Sequence, residues 1–217
     1  MKRNMRKLTY VLILLVSMAW SGKMSAQTFK YPDYPDLDKI AVKYKGSRPT
    51  INDFATAYLD YIRGEEDFYV DVYEAWKKFQ QNKPLGDNVS FMTDVKNGYM
   101  RYEKINVEDN DTIVWEMCFW NCADGKHKLV CSNAIWILNG DYGATAGTVF
   151  LVYDNAKRRM SFIYAEDVGA LYDGDGLSVF FLPREGKDIR VSAAGSGERW
   201  DEVLEWDGYQ FSSKMVP

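Results

Sequence analysis

The stretch Asp111–Leu138, DTIVWEMCFWNCADGKHKLVCSNAIWIL, constrains this chain more than any other. It carries all three cysteines, the only histidine and three of the seven tryptophans. β-Branched and aromatic residues fill both halves and Asp124-Gly125 stands between them, so the stretch reads as two strands joined by a tight hairpin. A type I′ turn at that dipeptide makes the numbers of opposed residues sum to 249, which sets Cys118 against Cys131, Trp120 against Leu129 and Cys122 against His127. Counted outward from a two-residue turn, the Cys118/Cys131 pair falls at a non-hydrogen-bonded position, where side chains approach closely enough for an S–S bridge. A Cys118–Cys131 disulfide is therefore expected. It would close a short loop, so its contribution should lie in the lower part of the roughly 2–4 kcal/mol typical of such bonds. Cys122 is the thiol left over.

The first residues suggest an address. Lys2, Arg3, Arg6 and Lys7 precede an apolar run from Leu8 to Trp20, and small residues follow at Ser25 and Ala26, which is the pattern of a secretory signal peptide spanning 1–26. The run is shorter than the roughly 20 residues that cross a bilayer, and no later stretch is apolar enough, so no membrane span is expected. No cysteine stands near the cut to carry a lipid. The expected product is exported, periplasmic or at the cell surface or beyond, in an oxidising compartment that suits a disulfide. Without residues 1–26 the chain carries 22 basic against 31 acidic residues, which argues against nucleic acid or anionic lipid as a partner. About 190 residues remain, enough for one domain with a sizeable core.

The segment 27–49 holds Pro32, Pro35 and Pro49 among tyrosines and reads as an extended arm. Thr50 then caps a helix with Asp53 answering it, and Ile51, Phe54, Tyr58, Tyr61 and Ile62 recur at helical spacing until Gly64. Glu65, Glu66 and Asp67 open a second helix whose inward face is Phe68, Val72, Ala75, Trp76 and Phe79, with Lys77 and Lys78 near its end. Two amphipathic helices over 50–81 need a cover.

From Tyr99 the period changes to two. Strands are predicted at Tyr99–Val107, the central hairpin, Thr148–Tyr153, Met160–Ala165, Leu177–Leu182, Ile189–Ala193, Trp200–Trp206 and Tyr209–Ser213, joined by polar turns. The expected fold is α+β: an N-terminal helical hairpin packed on an antiparallel β-meander that forms a curved sheet, small barrel or sandwich, as a single domain over 50–217 with the meander at 99–214.

Chemistry has few places to sit. Cys122 opposite His127 pairs a thiol with an imidazole, but a hairpin tip is no water-excluding site and no third orienting group is visible, so no catalytic residue is assigned. Cys118, Cys122, His127 and Cys131 lie on one face but splay along a flat surface rather than around a tetrahedron. In Tyr172-Asp173-Gly174-Asp175-Gly176, Asp173 and Asp175 space hard oxygen donors as a calcium loop does, although the twelfth position is Arg184 instead of a bidentate glutamate. They are the candidate metal positions; a flexible acidic connection is the plainer reading, and no cofactor is expected. Among the strand tryptophans, Trp120, Trp136 and Trp206 are the candidate binding residues, since any that face solvent offer a flat platform for a sugar ring or a partner's side chains. The competing expectation is that helices cover one sheet face and a second sheet the other, leaving no platform.

The chain ends in Leu204-Glu205-Trp206-Asp207-Gly208-Tyr209-Gln210-Phe211. A signal peptide, helices and an aromatic-rich meander with this ending resemble small exported proteins of unknown function from anaerobic Gram-negative bacteria. The W-D-G-x-x-F element is similar to a strand-turn-strand of many extracytoplasmic β domains and implies a type I′ turn flanked by aromatic residues, with no functional residue to carry over. The expected function is a non-enzymatic binding or interaction domain whose ligand is a glycan or an envelope protein. The alternative is a small hydrolase of cell-envelope polymers, which needs two carboxylates converging in a cleft at roughly 5–10 Å.

Overall fold

The computed structural model describes residues 30–138, 141–170, 178–195 and 201–216. The expected signal peptide at 1–26 lies outside them. Two α-helices form among the described residues, α1 at Ile51–Ile62 and α2 at Asp67–Gln80. The Thr50 backbone N–H donates to Asp53 Oδ2 at 2.7 Å, so the acidic residue answers the cap as the spacing predicts. Ile51, Phe54, Ala55, Tyr58 and Leu59 of α1 are buried, as are Tyr69, Val72, Ala75 and Trp76 of α2.

Eleven strands follow or flank them among the described residues: β1 Lys39–Ala41, β2 Val89–Asp94, β3 Tyr99–Asn106, β4 Asp111–Asn121, β5 His127–Leu138, β6 Asp141–Asp154, β7 Arg159–Ile163, β8 Ser178–Phe181, β9 Ile189–Ala193, β10 Glu202–Trp206 and β11 Phe211–Met215. They make a seven-stranded sheet in the order β1-β7-β6-β5-β4-β3-β2 and a four-stranded sheet in the order β11-β10-β9-β8. The fold is mixed α+β with antiparallel sheets, and neither sheet closes into a barrel.

Alternation along β4 explains how the layers meet. Trp115 and Met117 join Met100, Tyr102, Val130, Leu151 and Tyr153 in one core cluster with the helical residues. Ring pairs fix that contact: Phe54 lies 5.3 Å from Phe119 and 5.0 Å from Tyr153, and Trp76 lies 5.4 Å from Phe91. The intervening residues point the other way, where Val114 and Ile135 pack on Val179 of the four-stranded sheet. Polar ties reinforce this second interface. Trp120 Nε1 donates to the Lys187 carbonyl at 2.7 Å, Asn133 Nδ2 to the Phe180 carbonyl at 2.6 Å, and the Leu182 N–H to Glu116 Oε2 at 3.2 Å. Burying Trp76 and Trp115 completely stabilises the fold by about 2–3 kcal/mol each.

The central hairpin keeps the expected register: Cys118 opposes Cys131 and Trp120 opposes Leu129. Its turn differs. Only Gly125 adopts a positive φ (67°), and the Cys122 N–H donates to the His127 carbonyl at 3.1 Å, so the loop is four residues long. That makes 122/127 a hydrogen-bonded pair and, by alternation, 118/131 another. The Phe119 N–H to Gly98 carbonyl bond, 3.2 Å, agrees, because it leaves Cys118 in a non-hydrogen-bonded pair on its other side. A hydrogen-bonded pair holds side chains farther apart. The predicted Cys118–Cys131 disulfide is absent: all three cysteines are free and buried.

The acidic turns share one device. Asp124 Oδ1 accepts from the N–H groups of Lys126 and His127, Asp154 Oδ1 from Ala156 and Lys157, and Asp207 Oδ1 from Tyr209 and Gln210. Each is an aspartate receiving bonds from the second and third residues after it. The Trp206-Asp207-Gly208 turn is therefore built on the Asp207 side chain, with a positive φ at Gly208 alone. The two Asp-Gly turns also meet, the Ala123 N–H donating to the Gly208 carbonyl at 2.9 Å.

Three strands differ from expectation for local reasons. β1 lies inside the predicted arm and pairs Ile40 with Met160 of β7. β2 follows the Pro84–Asp87 loop and pairs Phe91 with Tyr102. β6 begins at Asp141, well before the predicted Thr148, because Gly143, Ala144, Ala146 and Gly147 hide the strand pattern. Its register against β5 shifts twice, between Ala134 and Ile135 and between Trp136 and Ile137.

Thiol titration should find no rapidly reactive group in the folded protein and three after unfolding without reductant; one after unfolding would restore the disulfide. A second outcome concerns Gly169, which follows the 3-10 turn Ala165–Val168 at φ 65° and where an added Cβ would sit 2.3 Å from the Phe211 carbonyl oxygen. Gly169→Ala should cost about 2–4 kcal/mol in urea unfolding.

Candidate functional site

The three proposed tryptophans separate. Trp120 and Trp206 come together, with ring centroids 6.0 Å apart, and Phe211 lies 5.3 Å from the first and 4.9 Å from the second. They are 5% and 8% exposed and sit between the two sheets. The expectation that they offer a solvent-facing platform is corrected by this cover: the Cys118 face of β4 is an inner face.

Trp136 is 46% exposed. Register places it. Lys104, Ile113 and Trp136 form one row across β3, β4 and β5, and Asn106 opposes Asp111 in the next. This row belongs to the face that carries Tyr102 and Trp115 under the helices, and the Lys104–Asp71 ion pair, 2.6 Å, brings α2 to its edge. Beyond that edge the indole, Ile113 and Leu138 line a groove of about 460 Å³ rimmed by Asn106, Asp111 and Thr112. Such a site offers an indole face for the C–H surface of a ring, with a polar margin in which the Asn106 amide is held by the turn, donating to Asp109 Oδ2 at 2.6 Å and accepting from the Glu108 N–H.

The hairpin tip carries no nucleophile. Cys122 is buried with Sγ 3.4 Å from the Tyr31 hydroxyl, and burial pushes its thiol up to about 11. His127 Nδ1 lies 2.6 Å from Asp124 Oδ2, so the imidazole is held by the turn aspartate. Burial alone would raise the Asp124 carboxyl; the bonds from His127 and Lys126 outweigh it and hold that carboxyl below its usual range. No group of three or more His, Cys, Asp or Glu among the described residues is arranged to hold a metal ion. Asp173 and Asp175 lie outside the described residues.

One polar cluster escaped the sequence reading. Glu116, 3% exposed, accepts at Oε1 from the Tyr99 hydroxyl (2.5 Å) and Arg101 Nη1 (2.9 Å), and at Oε2 from the Leu182 N–H. Arg101 Nη2 also reaches Glu103 Oε2 at 2.8 Å. Two carboxylates thus share one guanidinium, but Glu116 is sealed between the sheets and its oxygens are taken. Its signal in the sequence is parity, because it stands between Val114 and Cys118 on an apolar face. Burial pushes the Glu116 carboxyl up, against the opposing pull of Tyr99 and Arg101.

A raised carboxyl binds more protons folded than unfolded, so its contribution to stability falls as pH rises from the ordinary glutamate range through the raised value. Glu116→Gln should flatten that limb in a stability-against-pH series. Glu116→Ala should cost about 2–3 kcal/mol, because the Leu182 N–H and the Arg101 guanidinium lose their acceptor. Comparisons of the chain with protein-family models, with curated proteins and with solved structures found no match.

Proposed function

We propose that this chain is an exported, non-enzymatic binding domain that takes a glycan at the Trp136 groove. Its export rests on the basic-then-apolar pattern of residues 1–26. The observation that carries the binding site is the exposure of Trp136 beside Ile113 and Leu138, in a chain whose Trp76, Trp115, Trp120 and Trp206 are buried. A half-exposed indole costs free energy in water and is favoured where a ligand removes it from solvent. The polar margin of Asn106, Asp111 and Thr112 suits a ligand that is apolar on its faces and hydroxylated at its edge, as a pyranose ring is. Between binding and hydrolysis, the sealed state of Glu116 supports binding: a carboxylate shut between two sheets does not reach a glycosidic bond.

Screening residues 27–217 against peptidoglycan fragments and neutral oligosaccharides by intrinsic fluorescence tests the reading. A saturable ligand should shift the emission, and Trp136→Ala should weaken its binding at least about ten-fold while leaving the unfolding midpoint nearly unchanged. A glycan bound equally well by Trp136→Ala would move the site elsewhere. With no glycan bound, a Trp136-dependent pull-down from envelope extract would place a protein partner there instead.

A further inference from the structure

A second groove lies over the middle of β6 and the end of β7 and shares no residue with the Trp136 groove. It exists because β1 is three residues long. β1 pairs with Arg159, Met160 and Ser161 and leaves Phe162 and Ile163, which pair with β6 on their other side, without a described strand on the β1 side. Upstream of β1 the chain bends through the Tyr34–Leu37 turn, with the Leu37 N–H on the Tyr34 carbonyl at 3.3 Å, and carries Asp36 and Asp38 to the rim. The groove encloses about 470 Å³.

Four aromatic rings line it: Tyr61 from the end of α1, the buried Phe150 of β6, Phe162, and Tyr164 just past β7. Tyr61 and Tyr164 are 42% and 50% exposed, although large rings usually hide. Their positions are held. Tyr61 lies 5.6 Å from Phe162 at 50°, and its hydroxyl donates to Asp38 Oδ2 at 2.5 Å. Tyr164 meets Tyr34 edge-on at 4.9 Å, and its backbone N–H donates to Asp167 Oδ2, which also accepts the Tyr34 hydroxyl. The lining contains two carboxylates, Asp36 and Asp38, and no basic side chain among the described residues. The nearby Lys39 is paired with Asp33 at 2.9 Å.

We propose that this groove binds an organic quaternary ammonium ion. Ring faces carry negative potential that attracts a cation, and alkyl groups on the nitrogen replace the hydration that a bare ammonium would have to lose. The carboxylates at the rim supply the opposite charge at a distance where the exposed setting screens but does not remove it. A neutral apolar ligand would use the rings and gain nothing from Asp36 and Asp38; a metal ion would use the carboxylates and gain little from the rings. The combination selects an alkylated cation.

The test compares choline with 3,3-dimethylbutan-1-ol, its uncharged carbon isostere, on the processed protein, by calorimetry and by amide chemical-shift changes over 148–150 and 162–165. Choline should bind saturably and the isostere at least about ten-fold more weakly. Asp36→Asn and Tyr164→Ala, both at exposed positions, should each weaken choline about two- to five-fold, while Trp136→Ala leaves it unchanged. Equal binding of the isostere would reduce the groove to an apolar surface and overturn the proposal. So would an absence of saturation by choline, or full affinity in a folded Tyr164→Ala protein.

Discussion

The burial of the β4–β5 hairpin on both faces governs the rest of the structure. Strands covered on one side only need alternate apolar residues; these two carry apolar or satisfied polar groups at nearly every position from Val114 to Trp120 and from Leu129 to Ile135. Helices supply one cover and the four-stranded sheet the other. The cost of this arrangement falls on polar groups trapped in the middle, and those on the hairpin are matched: Glu116 by Tyr99, Arg101 and the Leu182 N–H, Asn133 by the Phe180 carbonyl, and Ser132 by the Trp115 indole N–H at 2.9 Å, whereas the buried Tyr58 hydroxyl of α1 has no hydrogen-bond partner among the described residues. The same cover assigns Trp76, Trp115, Trp120 and Trp206 to the core, and the proposed binding site lies past its edge.

Much of this was legible in the residues. Helical spacing from Ile51 and from Phe68, and the capping of Thr50 by Asp53, located both helices to within a residue or two. Period-two patterns with polar turns located most strands, and the register of the central hairpin followed from Asp124-Gly125. What failed was finer. A dipeptide does not distinguish a two-residue turn from a four-residue loop with the same register, and here the Asp124 side chain, by accepting two backbone N–H groups, stabilises the longer loop. That changes which pairs are hydrogen-bonded, and with it the disulfide. Strand β1 was hidden because three residues are too few to show a period, and the start of β6 because glycine and alanine carry no pattern.

The sites were less legible than the fold, for a physical reason. Parity assigns a side chain to a face but does not say what lies over that face, so Trp120 and Trp136 were equivalent in the sequence and opposite in the structure. The decisive facts are long-range: the reach of α2 to Lys104, and the packing of Phe211 on Trp120 across almost a hundred residues. Tyr61 and Phe162, brought within 5.6 Å, are equally remote in sequence. Aromatic load in such a chain therefore predicts mainly core, and the exposed minority is defined by where the covering layers stop.

The double cover is tested most directly by nuclear Overhauser contacts of the ring protons. It predicts that the Trp120 indole sees Phe211 and Trp206 while Phe119 sees Phe54, so that neighbouring residues of one strand report opposite layers. A Trp120 indole that shows no such contacts and exchanges its N–H rapidly with water would contradict it, returning that tryptophan to the surface and removing the reason to single out Trp136.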